Sequence, residues 1–207
     1  MTIKLIKEFI NNNKKYKTYS EFSVLIPLVE IEGELHLLFE KRALSLVSQP
    51  GEICFPGGKK EDGETPSYSS IRETMEELNI KQDQIEILNN LGYFFTPFNY
   101  KINIFLGYLK NIDIDSIVFS KDEVDSIFTV PLKYLLEQKS QNYKLDIELK
   151  VPVDFPFEKI EHGKNYSFKT GFYNVNFYEY KDIVIWGITA NILNIFLNNI
   201  KELFINN

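Results

Sequence analysis

The stretch Gly51 to Ile80, GEICFPGGKKEDGETPSYSSIRETMEELNI, constrains the fold of this chain more than any other. A glycine turn, Phe55-Pro56-Gly57-Gly58, leads through an acidic loop into a segment with helical signals at both ends. Thr65 supplies an N-cap hydroxyl, and Pro66 suits the first helical position because the N–H it lacks has no partner there anyway. Asn79 stands where the helix should stop, since Asn tolerates the left-handed conformation better than most residues.

On a wheel of about 100° per residue, Tyr68, Ile71, Thr74, Met75 and Leu78 share one arc, a face fit for a core. Glu73, Glu76 and Glu77 fall opposite, with Arg72 at the edge. Like charges three and four apart each cost an isolated helix about 0.2–0.5 kcal/mol. No Lys or Arg lies one turn further on to offset the cost. The pattern therefore predicts positive charge from outside the helix, such as a hard divalent cation held by carboxylates beside a backbone carbonyl of the glycine turn.

Three acids on a helix are most often a solvated face, but the spacing of the whole stretch sets this one apart. It resembles the Nudix box, Gly-x5-Glu-x7-Arg-Glu-U-x-Glu-Glu-x-Gly-U, in which U is aliphatic. Gly58, Glu64, Arg72, Glu73, Glu76, Glu77 and Ile80 match. Thr74 replaces an aliphatic residue and Asn79 replaces Gly, so no charged position departs from the pattern.

The rest of the chain is consistent with that frame. Residues 2–12 read as an amphipathic helix with Ile3, Ile6, Phe9 and Ile10 on one face, followed by a polar break at Asn11-Asn12-Asn13-Lys14-Lys15. Phe22–Ile31 and Glu34–Arg42 read as strands joined by a Glu32-Gly33 turn. Ile85–Phe95 and Tyr100–Leu109 form a second pair around Thr96-Pro97-Phe98-Asn99. An acidic stretch, Asp113 to Asp125, precedes a strand at Ile127–Val130 and a short helix at Pro131–Gln138. Residues 142–182 are aromatic and β-rich, and Ile183–Phe204 reads as a closing helix whose Trp186 and Ile188 seal the core. His36 reads as a solvent-face or packed residue, and Cys54 as a small packed one, with no His near it in sequence to act as a base.

Upstream of the box, Leu37-Leu38, Arg42-Ala43, Leu46 and Gly51 run into Phe55-Pro56-Gly57-Gly58. This order is similar to the signature that accompanies the box in coenzyme A pyrophosphatases, although Gln49 or Pro50 stands where that signature usually has His. The likeness continues through Thr96-Pro97-Phe98, Phe128-Thr129-Val130-Pro131-Leu132 and Ile185-Trp186-Gly187-Ile188-Thr189-Ala190, which extends it over most of residues 22–195.

The resemblance implies an α/β fold, a Nudix-like α/β/α sandwich with a mixed β-sheet, as a single domain over residues 1–207. Residues 1–21 would be an N-terminal helical extension, and 140–207 an aromatic region with the closing helix. It implies hydrolysis of a nucleoside diphosphate derivative with Mg²⁺ or Mn²⁺, coenzyme A being the favoured substrate and ADP-ribose, a dinucleotide or an oxidised nucleotide the alternatives. A sensor module without catalysis is the remaining reading. The implied metal ligands are Glu73, Glu76, Glu77 and the Gly58 carbonyl. Arg72 would pair with Glu64 or Glu73 and orient the box, while Glu73 or an outside acid, Glu123, would be the general base. Lys41 and Arg42, cations at a strand end, are candidates for meeting phosphate.

Composition narrows the partners. A net charge of −6 argues against a nonspecific grip on nucleic acid. One cysteine excludes an internal disulfide framework and fits a reducing, cytoplasmic setting. No run of 18 uncharged apolar residues suggests a membrane partner. A homodimer is the oligomer kept open.

Overall fold

The computed structural model describes residues 2–12 and 19–205. Strand β1 (Ser20–Ile31) turns through Glu32 and Gly33, at φ 52° and 82°, into β2 (Glu34–Arg42). Two successive left-handed residues give a turn whose twist suits an antiparallel pair. Short strands β3 (Ile53–Cys54) and β4 (Gly57–Lys59) flank the glycine turn. Strands β5 (Ile85–Phe95), β6 (Tyr100–Leu109) and β7 (Val124–Pro131) complete a seven-stranded sheet. Its order is β3-β2-β1-β6-β5, with β4 added to β1 and β7 to β2. Because β1 runs parallel to β6 and antiparallel to its other neighbours, the sheet is mixed.

Strand β1 is central and buried on both faces, so its apolar residues divide between two cores. Leu25 and Val29 join Leu38, Phe105 and Leu109 under helix α2 (Pro66–Leu78), whose Leu78 is wholly buried. Burying that one side chain is worth about 1.5–3 kcal/mol. Ile26 and Leu28 join Leu37 and Phe39 on the other face, beneath α3 (Leu132–Glu137) and α4 (Gly187–Ile205), which contributes Leu193 and Phe196. The expected α/β/α layering results.

Several expectations change in detail. Residues 142–182 are β-rich as read, but they build a separate antiparallel sheet. Its order is β10-β9-β8, from β8 (Gln141–Ile147), β9 (Gly171–Tyr180) and β10 (Ile183–Trp186). The closing helix therefore begins at Gly187, which takes φ 67°, and not at Ile183. Trp186 does not seal the core: it is 45% exposed and stacks on Phe177 at 5.9 Å. Strand β7 starts three residues earlier than expected, because Val124 is buried and pairs with Arg42. The N-terminal helix α1 spans Ile3–Asn12, with Ile3 and Ile6 exposed. The side chains of Phe9 and Ile10, and Asn13, Lys14 and Lys15 of the polar break, lie outside the described residues. Among the described residues no helix is long and apolar enough to cross a membrane.

Candidate active site

Helix α2 is set by its ends. Thr65 Oγ1 accepts from the Tyr68 N–H at 3.2 Å, Pro66 opens the first turn, and Asn79 closes the helix at φ 50°, ψ 44°. Thr74 fits its aliphatic position because its hydroxyl donates to the Ser70 carbonyl at 2.7 Å, leaving the buried oxygen satisfied. Tyr68 departs from the expected core face and is half exposed.

The acidic flank is partly compensated from within the helix, by a cation one turn before Glu76. Arg72 lies one turn before Glu76 and donates to it at 2.9 Å, to Glu73 at 2.8 Å and to Glu64 at 2.7 Å. One guanidinium thus fastens the acidic loop to two helical acids, using the fork geometry that Lys lacks. The bond from Arg72, helped by the Glu61 N–H, pulls the Glu64 pKa down to about 2.

Glu77 departs from the polar face altogether. It is 4% exposed and accepts from the Gly57 N–H at 2.8 Å, which ties the glycine turn to the helix. Burial, then the nearby Glu40 carboxylate, hold its pKa well above the ordinary value, against the lowering effect of that N–H. Glu73 is raised mainly by burial, with Arg72 opposing. Gly58 faces Glu73 so closely that a Cβ there would fall on the carboxylate.

Glu40 is the acid that sequence reasoning passed over. It lies on β2 beside Cys54 of β3 and Ile127 of β7, is 1% exposed, and its Oε1 has no hydrogen-bond partner. Burial raises its pKa to about 8, with Arg42 opposing and Glu123 adding to the rise. The signal was strand alternation, which places Glu40 on the same inward face as Leu38. Cys54 behaves as read: burial and the neighbouring Glu40 and Glu77 push its thiol up, away from a reactive thiolate.

Part of this set borders a cavity of about 730 Å³. Glu73, Glu77, Glu123, Gly57, Gly58 and Arg42 line it, so the structure gathers most of the expected site. Lys41 is not on its wall and pairs instead with Asp125 at 3.2 Å. Glu76 stands outside the lining, exposed and turned to Arg72. Lys59, Glu52 and Ser48 line the cavity without having been singled out, as does Gln49, one of the two residues at the signature's usual His position.

Among the described residues no three acidic, His or Cys side chains already stand together as a metal cage. The donor set nevertheless suits a divalent cation. Carboxylate oxygens are the hard ligands such ions take. Here Glu73 and Glu77 are held at the glycine turn against burial and mutual repulsion, and Glu40, with a partnerless carboxylate oxygen, is near enough to raise the Glu77 pKa further.

A three-layer α/β sandwich with a glycine turn clamped to a glutamate-rich helix defines a class. The NUDIX domain family model matches residues 21–148, more than half of the chain, and the chain belongs to that family. Among similar proteins, Nudix hydrolase 3 of Caenorhabditis elegans is 35% identical over 58% of this chain and 50% of its own length. The mouse peroxisomal coenzyme A diphosphatase NUDT7 is 32% identical over 64% of this chain and 56% of its own length. The C. elegans peroxisomal coenzyme A diphosphatase ndx-8 is 34% identical over 66% and 59%. The chain thus spans little more than half the length of these relatives. A MutT/nudix family protein from Enterococcus faecalis shares the fold at TM-score 0.53 and 14% identity, over 98% of this chain and 70% of that one.

Proposed function

We propose that this chain hydrolyses the diphosphate linkage of coenzyme A or its derivatives, releasing 4′-phosphopantetheine and adenosine 3′,5′-bisphosphate. The observation that carries the reading is the meeting of Glu73, Glu77 and Glu123 with the Gly57-Gly58 turn at one end of a cavity of small-molecule size. The upstream run from Leu37 to Gly58 and the relatives named coenzyme A diphosphatases favour coenzyme A over other diphosphates.

Nudix hydrolases generally use divalent metal ions. Glu73, Glu76, Glu77 and the Gly58 carbonyl would hold Mg²⁺ or Mn²⁺ here. Bound there, the ion neutralises charge on the diphosphate and lowers the pKa of a water. The chain's own groups do the rest. Glu73 or Glu123, both of which line the cavity, takes the proton of the attacking water. Arg42, on the same wall, meets phosphate oxygens. Arg72 acts by position, holding Glu64 and Glu73 so that the box keeps its shape before substrate arrives.

The test is product identification by mass spectrometry after incubation with coenzyme A and Mg²⁺ or Mn²⁺. ADP-ribose, a dinucleotide and an oxidised nucleotide run in parallel. Both named products should appear, at a higher rate than from any other compound; a coenzyme A rate no better than the rest withdraws the substrate. Glu77→Gln should lower turnover by at least about a hundredfold, the scale of losing a preorganised electrostatic group. Its amide oxygen can still accept from Gly57, so the circular dichroism spectrum should be unchanged. Near-normal turnover in that variant removes Glu77 from the ligand set.

A further inference from the structure

The proposed reaction uses one end of the cavity and leaves the other without a role. That second end is built from Phe22 of β1, Tyr100 and Ile102 of β6, and Ile188 and Ile192 of α4, with Phe98 at the mouth. Register fixes its direction. Lys59 of β4, Phe22 of β1 and Ile102 of β6 pair side by side. At about 4.8 Å between strands, the apolar row reaches roughly 10 Å from the glycine turn. The opposite wall is pinned, since Thr189 Oγ1 donates to the Ile53 carbonyl at 2.9 Å and brings the first turns of α4 against β3. None of these wall residues is charged. Of the lining cations, Arg42 ends β2, and Lys59 follows Gly58 on β4.

The aromatic mouth is fixed in advance. Buried Thr96 accepts through Oγ1 from the N–H groups of both Phe98 and Tyr100, each at 3.2 Å, and Asn99 takes φ 60° to close the turn. Phe98 is 61% exposed, yet its ring meets Tyr173 of the second sheet edge-on at 6.4 Å, and Tyr100 packs on Phe22 at 5.0 Å. A large exposed ring held by a locked turn has already met its ordering cost, so contact with a ligand is gained at little further entropy.

We propose that this wall is a subsite for an uncharged, flexible and largely apolar arm on the far side of the cleaved diphosphate, and that Phe98 and Tyr100 are its specificity-determining residues. The inference rests on the diphosphate-hydrolase reading above and deepens it. A substrate with a sugar or charged group at that end would bury polar atoms against a wall with few partners, which costs affinity. An arm of methylenes and amides avoids most of that cost.

A series of ADP esters of straight-chain alcohols, methyl to hexyl, reads the subsite without the rest of coenzyme A. Cleavage by water breaks one phosphoanhydride P–O bond and gives AMP and the alkyl phosphate. For the wild-type chain with Mg²⁺, KM should fall about fourfold per added methylene, the scale of burying one CH₂. In Phe98→Ala the dependence of KM on chain length should flatten, as expected when ground-state binding of the arm is lost. A KM indifferent to chain length, or unmoved by Phe98→Ala, overturns the subsite. Calorimetric titration of the same esters into Glu77→Gln separates the two readings. A Kd that tightens with length upholds the subsite even if the coenzyme A assay shows no cleavage, the outcome that would sink the hydrolase reading alone. A Kd without length dependence sinks the subsite while cleavage stands.

Discussion

Gly57 and Gly58 are neighbours with different constraints. At Gly57, φ is 153° and a Cβ would meet the backbone of Ser23 and Val24, which cannot retreat because β1 is the central strand. At Gly58 the obstacle is the tip of a side chain, the Glu73 carboxylate. Gly57→Ala should therefore lower stability by about 1–3 kcal/mol, the usual cost of overpacking. Gly58→Ala should keep the fold, since Glu73 can swing aside, but lower turnover by about a hundredfold, as a displacement of about 1 Å can. Thermal denaturation and single-turnover assays of both variants separate the effects. Wild-type turnover in Gly58→Ala would mean that the position of Glu73 does not matter to the reaction.

At the scale of elements, α2 could be read from sequence because its determinants are local. A hydroxyl at Thr65, a Pro after it and an Asn at the far end act within one or two turns of the chain, and the structure uses all three. Thr65→Ala should cost about 1 kcal/mol by leaving the Tyr68 N–H without its cap. Chemical denaturation measures this, and an unchanged midpoint would assign the helix's stability to Leu78 and its neighbours alone. Features that depended on distant chain were harder to read. Glu40 becomes a buried site acid only because β3 and β7 close over β2, which nothing within a few residues of it announces. Glu77 looked solvent-facing on the wheel until the glycine turn, twenty residues earlier, supplied the N–H that lets its carboxylate go inside. Strand β10 and helix α4 merge into one apolar run, Ile183 to Ile188, and only the positive φ at Gly187 divides them. The Thr96–Asn99 connection was legible as a turn, but its aromatic wall exists only where β1, β6 and α4 converge.

At the scale of the whole molecule, the site acids set how stability depends on pH. Glu40, at about 8, and Glu77, well above the ordinary value of 4.5, keep protons in the folded chain at pH values where unfolded glutamates have lost them. Across that window the native state binds more protons, so stability falls as pH rises from about 5 to about 8. Glu64 works in the opposite sense. Its folded pKa of about 2 makes the Arg72 pair stabilising above the ordinary value, and that contribution is lost as pH falls toward 2. The metal-free chain should thus be most stable near pH 5, between the two effects. A divalent cation binds ionised carboxylates and so competes with the protons. Saturating Mg²⁺ should raise Tm at pH 8 by several degrees and at pH 5 by much less, which scanning calorimetry with and without EDTA measures directly. Equal increments at both pH values would show that the cation does not bind the acids behind the glycine turn. A flat metal-free Tm between pH 5 and 8 would show that Glu40 and Glu77 do not hold protons in the folded chain.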